Sequence, residues 1–217
     1  MCRAAVSLLL SLVILSPVRG QSPLPKVEGA EWSSVRDQCR RLLRALRAID
    51  GALSPGIEKK LAALLEEDTR HGDRALERLQ ELLDPLCLAA VSINPESRVK
   101  AARGPAPAEL VRDRPTIVLV KVHNEAGITP GLEVDGDELR TARHTGADRW
   151  LEAIVLSEKP LAKRLSGNRL EYVALRLTAR EAGKREATLK FDAGQGTQDL
   201  GFRAEVPILF RVRSSRP

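Results

Sequence analysis

Across residues 31–49 the apolar side chains Trp32, Val35, Cys39, Leu42, Leu43, Leu46 and Ile49 return every third or fourth position, which places them on one face of a helix. Arg36, Arg40, Arg41, Arg44 and Arg47 fill the remaining positions and read as a solvated basic face. Asp50-Gly51 ends this pattern and Ser54-Pro55 opens a second. A serine oxygen can cap the first free amides of a helix, and proline at the first helical position has no amide hydrogen to leave unpaired. The second stripe is Ile57, Leu61, Leu64 and Leu65. His71-Gly72-Asp73 then interrupts the chain, with Asp73 placed to cap a third helix whose stripe is Leu76, Leu79, Leu82 and Leu83, and Pro85 stops it.

From Leu88 the period shortens to two. Strand-like runs fall near residues 88–93, 98–102, 117–123, 151–157, 170–178, 186–191 and 206–212, separated by turn signals such as Asn94-Pro95, Gly104-Pro105 and Gly167-Asn168. In the third run Val118, Val120 and Val122 face one way while Leu119, Lys121 and His123 face the other. A succession of short strands without intervening helices predicts an antiparallel β-sandwich of immunoglobulin-like type. The fold class expected is therefore α+β, with a small unit of about three helices over residues 21–87 and the sandwich over 88–217.

The first 20 residues change the compartment. One early cation, Arg3, precedes an apolar run over residues 4–15, then Ser16-Pro17 and a short polar stretch ending at Gly20. This is the pattern of a secretory signal peptide, and the apolar run is well short of the roughly 20 residues a membrane span requires. The expectation is a secreted or periplasmic protein. Cys2 belongs to the leader, leaving Cys39 and Cys87, and two cysteines in an oxidising compartment predict one disulfide between them.

Charge narrows the partners. The whole chain carries a formal +6, with Lys and Arg interspersed among acids and only six aromatic residues. Nucleic-acid binding would call for a basic stripe with stacking platforms, so that class is set aside, and the solvated reading of the arginine face argues against a membrane surface. No cofactor is implied, and no serine sits in a Gly-x-Ser-x-Gly context. His71, His123 and His144 show no zinc-ligand spacing. The candidate metal ligands are His123 and Glu125, where a strand enters a loop, and Asp135 and Asp137, whose carboxylates flank Gly136 in a turn that could offer oxygen ligands. Strand ends and Asp-Gly turns account for these residues without a metal.

Residues 191–202, FDAGQGTQDLGF, contain three glycines but lack the strand-to-helix context of a dinucleotide fingerprint and the lysine of a phosphate loop. They read as the link between the last two strands, with Gln195, Gln198 and Asp199 shaping it for a partner. Trp150 and Phe202 are the aromatics freest to serve as binding platforms.

The runs Val91-Ser-Ile-Asn-Pro-Glu-Ser-Arg-Val-Lys, Leu119-Val-Lys-Val-His-Asn-Glu-Ala-Gly, Gly183-Lys-Arg-Glu-Ala-Thr-Leu and Gly194-Gln-Gly-Thr-Gln-Asp-Leu-Gly-Phe-Arg resemble the N-terminal region of secreted planctomycete proteins. Some of those continue into a metallohydrolase domain of the polymerase-and-histidinol-phosphatase type. The resemblance implies an exported accessory module. It carries over no metal ligand or catalytic residue, because the histidine- and aspartate-rich pattern of that domain does not occur in these residues. The functional expectation is an exported, non-catalytic module that binds a protein or a cell-envelope component. A metal-dependent hydrolase, or an accessory domain of one, and a structural assembly subunit stand as alternatives.

Overall fold

The computed structural model describes residues 23–67, 72–141, 149–194 and 200–215. The leader, His71, His144, Gln195, Gln198 and Asp199 lie outside the described residues. Three helices come first: α1 (Trp32–Arg47), α2 (Pro55–Leu65) and α3 (Gly72–Leu83). The Glu31 carboxylate caps α1 by accepting from the Ser33 and Ser34 amides, and Ser54 caps α2 through the Ile57 amide. Asp73 stands in the first turn of α3, one residue inside the helix rather than at its cap. A 3₁₀ turn, Asp84–Leu86, carries Pro85 and delivers the chain into the first strand.

Ten strands follow among the described residues: β1 (Cys87–Ile93), β2 (Val99–Arg103), β3 (Glu109–Val111), β4 (Pro115–Asn124), β5 (Glu133–Asp135), β6 (Leu139–Arg140), β7 (Leu151–Val155), β8 (Leu170–Ala179), β9 (Gly183–Asp192) and β10 (Arg203–Arg213). All seven runs expected from alternation are strands. The three without an expectation, β3, β5 and β6, are two or three residues long, too short to display a period. The strands form a six-stranded sheet in the order β2-β1-β4-β8-β7-β6 and a four-stranded sheet in the order β3-β10-β9-β5. The architecture is α+β, but the sheets are mixed. β1 runs parallel to β4, β6 to β7 and β3 to β10, which departs from the purely antiparallel pairing expected. Period alone carries no information on strand direction.

The layers are helices, six-stranded sheet, four-stranded sheet. One core lies between the sheets and includes Val91, Val120, Val122, Leu177, Leu189 and Phe210. The other lies between the helices and the outer face of the six-stranded sheet, where Leu42, Leu46, Leu64 and Leu79 meet Leu119, Leu170, Tyr172 and Ala174. This double coverage explains why β8 is buried along almost its whole length while β10 alternates strictly between buried and exposed positions. Leu24, Val27 and Ala30 add the N-terminal segment to the helical core.

Polar tethers hold that layer in register. Gln38 of α1 donates to the Tyr172 carbonyl of β8 at 2.8 Å, at a level of the strand that β7 does not reach. Gln80 of α3 accepts from the Val27 amide and donates to the Val27 carbonyl, fastening the N-terminal segment. Cys39 and Cys87 are buried free thiols, so the expected disulfide is not formed. Each sulfur is engaged close by in the chain: Cys39 Sγ with Gln38 Oε1 at 3.5 Å, Cys87 Sγ with the Leu83 carbonyl at the end of α3 at 3.3 Å. Apolar packing and the tethers hold the helices to the sheet without a covalent link.

Candidate functional site

The two sheets close on a common core but leave a seam along one side. There, β5 is the last strand of the four-stranded sheet, and β7 is covered only by the two-residue β6. A cleft of about 420 Å³ opens between them. Val134, Ala153, Val155 and Phe191 supply its apolar lining, and Glu133, Asp135, Lys190, Asp192 and Arg203 its charged one.

Both strands turn hydrogen-bonding edges into this cleft. On β7, the Leu156 amide bonds to Ala174 of β8 and the Leu151 amide to Glu138 on the opposite side, so the backbone groups of Val155 point away from β8. β6 pairs only as far as Glu152 and does not reach that position. On β9, the Thr188 amide points toward β5, because Glu138 Oε2 accepts from it at 3.3 Å. Alternation then directs Lys190 and Asp192 to β5, where they meet Asp135 and Glu133. Val134, between those two, turns its own N–H and C=O outward. Among the described residues, the seam therefore presents two unpaired strand edges over an apolar floor.

The charged lining is internally ordered. Lys190 Nζ donates to both Asp137 carboxylate oxygens at 3.0 and 3.1 Å, and the Asp137 carboxylate holds the lysine above its ordinary range. Arg203 Nε donates to Asp192 Oδ2 at 2.8 Å, while Asp192 Oδ1 accepts from the Gly194 amide.

The candidate metal ligands separate into two places. His123 and Glu125 lie at the end of β4, with His123 Nε2 3.7 Å from Glu125 Oε1 and Arg169 donating to the same oxygen at 2.9 Å. Partial burial pushes the His123 imidazolium down from its ordinary range, with Glu125 opposing. Asp135 ends β5 of the other sheet and accepts from the Gly136 amide, and Asp137, in the turn after it, binds Lys190 of β9. Among the described residues no three His, Cys, Asp or Glu side chains converge as a metal site would require.

Trp150 is not a surface platform. It is buried between the sheets, its ring meets Phe210 edge to face at 5.8 Å, and the Arg185 guanidinium stands 6.0 Å above it. Its position just before β7 directs it inward. Phe202 is half-buried and closes over Gly194, where an added Cβ would come within 2.8 Å of the phenylalanine Cβ.

Two polar clusters were not anticipated. Lys121, Asp84, Tyr172 and Gln80 form a buried network under the N-terminal segment. Glu171, also buried, accepts from the Ser166 and Gly167 amides and thereby holds the loop before β8. Charged residues at buried strand positions were the only signal for either. No protein-family model matches the chain, and no curated protein matches it in sequence. Among the described residues no helix is long and apolar enough to cross a membrane.

Proposed function

We propose that this protein is an exported, non-catalytic binding module whose site is the seam between β5 and β7, and that the ligand is an extended polypeptide segment. The observation that carries this reading is the pair of unpaired edges at Val134 and Val155 flanking one cleft. An extended chain laid there satisfies both edges with its own amides and carbonyls, while alternate side chains enter the apolar lining, which is how strand addition combines affinity with selectivity. Export rests on the leader pattern and on the resemblance to secreted planctomycete proteins, and the immunoglobulin-like description of the strands belongs to the same reading. The ligand is a protein of the cell envelope or extracellular space.

The test uses the purified protein and a pool of unstructured peptides, with amide hydrogen exchange as the readout. Binding slows exchange at Val134 and Val155. Val155→Pro removes an outward N–H without touching the ladder to β8, so it keeps the fold and lowers affinity; proline is tolerated on strand edges. Peptide binding unaffected by Val155→Pro, with no protection at either edge, rejects the seam as the site.

A further inference from the structure

β7 turns Leu151, Ala153 and Val155 toward the core between the sheets, and Ala153 is the smallest of the three. Beside Leu151 the inward place on the neighbouring strand is filled by Leu139 of β6, which is fully buried. β6 ends at Arg140, so among the described strands none fills the inward places beside Ala153 and Val155. The cleft of about 420 Å³ lies there, with Ala153, Val134 and Phe191 in its lining. Its frame is short. The Leu151 amide bonds to the Glu138 carbonyl at 3.2 Å at one end, and the Leu165 amide bonds to the Pro130 carbonyl at 3.3 Å at the other, so two strands and two ties frame the opening.

β5 runs toward the first of these ties and β7 runs away from it. A strand laid between them is therefore antiparallel to one edge and parallel to the other, and in either pairing directly opposite residues place their side chains on the same face. Val134 and Val155 both turn inward, so a ligand residue opposite either one also turns inward, and its two neighbours turn to solvent. From Ala153 to Val155 the unfilled length is about 7 Å, at about 3.3 Å per residue, which is the repeat of one inward side chain in an alternating strand. We infer, on the strand-addition reading, that the seam takes a single large apolar anchor side chain of the ligand and that Ala153 sets the size it accepts. Such a side chain completes the inter-sheet core against Phe191 and Val134, a gain in apolar burial that alanine or a polar residue at the anchor does not supply. The ligand class is an extended segment with one bulky apolar residue between neighbours suited to water.

Two measurements test it. Ala153→Leu supplies the missing volume from the protein itself, so the thermal midpoint of the unliganded variant stays at or above the wild-type value. A clear fall means that the position is already packed, and overturns the inference. Titrations then use short peptides rich in Ser and Thr, blocked at both ends, with Ala, Leu or Phe at the centre, and read affinity together with amide exchange. The wild-type protein binds the Leu and Phe peptides at least about tenfold more tightly than the Ala peptide, and Ala153→Leu removes that preference. Protection at Val134 and Val155 with an affinity indifferent to the central residue, or a preference that survives Ala153→Leu, overturns the anchor slot and leaves strand addition standing. No protection at either edge with any peptide rejects strand addition, and the anchor slot with it.

Discussion

Lys121 Nζ lies 2.8 Å from Asp84 Oδ2, and both side chains are sealed between the helices and the six-stranded sheet. The lysine's other two donors go to the Pro25 carbonyl at 2.8 Å and Gln80 Oε1 at 2.9 Å, and the second carboxylate oxygen accepts from the Tyr172 hydroxyl at 2.8 Å. Burial pushes the lysine below its ordinary range, with Asp84 opposing. The network thus joins the N-terminal segment, α3, the 3₁₀ turn, β4 and β8.

Lys121→Met leaves the Asp84 carboxylate buried without its counter-charge and removes the tether to Pro25. A loss of about 3–5 kcal/mol is expected, read from urea unfolding. Tyr172→Phe removes one hydrogen bond to the same carboxylate and costs less, about 1.5–3 kcal/mol. A Lys121→Met variant with wild-type stability contradicts the assignment of this pair as a satisfied buried ion pair.

Cys39 and Cys87 are buried, and burial pushes the Cys39 thiol up to about 12 and the Cys87 thiol up as well. Since the thiolate is the reactive form, neither is alkylated in the folded protein, and both are alkylated after unfolding without any reductant. Mass spectrometry of the alkylated peptides distinguishes this from a disulfide, which would leave both unlabelled until reduced.

Gly104 follows β2 where the backbone passes close to β1. A Cβ there would stand 2.1 Å from the Cys87 carbonyl oxygen, which is backbone and cannot swing away. Gly104→Ala is expected to destabilise by about 2 kcal/mol or more, with a lower thermal midpoint as the readout.

Two titratable groups, the buried Glu171 and the partly buried His123, act on stability in opposite senses. Burial pushes the Glu171 carboxyl above its ordinary 4.5, although the Ser166, Gly167 and Asn168 amides pull it down. Its contribution is fully present below pH 4.5 and is lost as pH rises through the higher folded-state value. Burial pushes His123 below its ordinary 6.5, with Arg169 and Lys121 acting in the same sense. Its contribution is present above pH 6.5 and is lost as pH falls through the lower folded-state value. Unfolding free energy measured from pH 4 to 8 should therefore lose its rise near pH 6.5 in His123→Gln, while Glu171→Gln should remove the opposing slope on the acid side.

Much of the framework was legible from residue types in order. Trp32, Val35, Cys39, Leu42 and Leu46 are buried on α1 as their spacing predicts, and Ser54 caps α2. Val118, Val120 and Val122 do face the core between the sheets, opposite Leu119 and Lys121. The candidate site was much less legible. His123, Glu125, Asp135 and Asp137 were singled out for their chemistry, yet the fold leaves the first two at the end of β4 and the other two at the end of β5 and in the turn after it. Val134 and Val155, which form the seam, are ordinary strand valines. Their importance lies in which strands fail to pair beside them.

The amino-acid order by itself determined three helices, seven strands and the side of each that turns from water, because a hydrophobic period is a property of one segment and the burial it requires. Only the tertiary structure decided strand direction, the three short strands, the separate thiols at Cys39 and Cys87, and the open seam. Each depends on which distant segment arrives alongside, and hydrogen-bond pairing between segments leaves no period in either one.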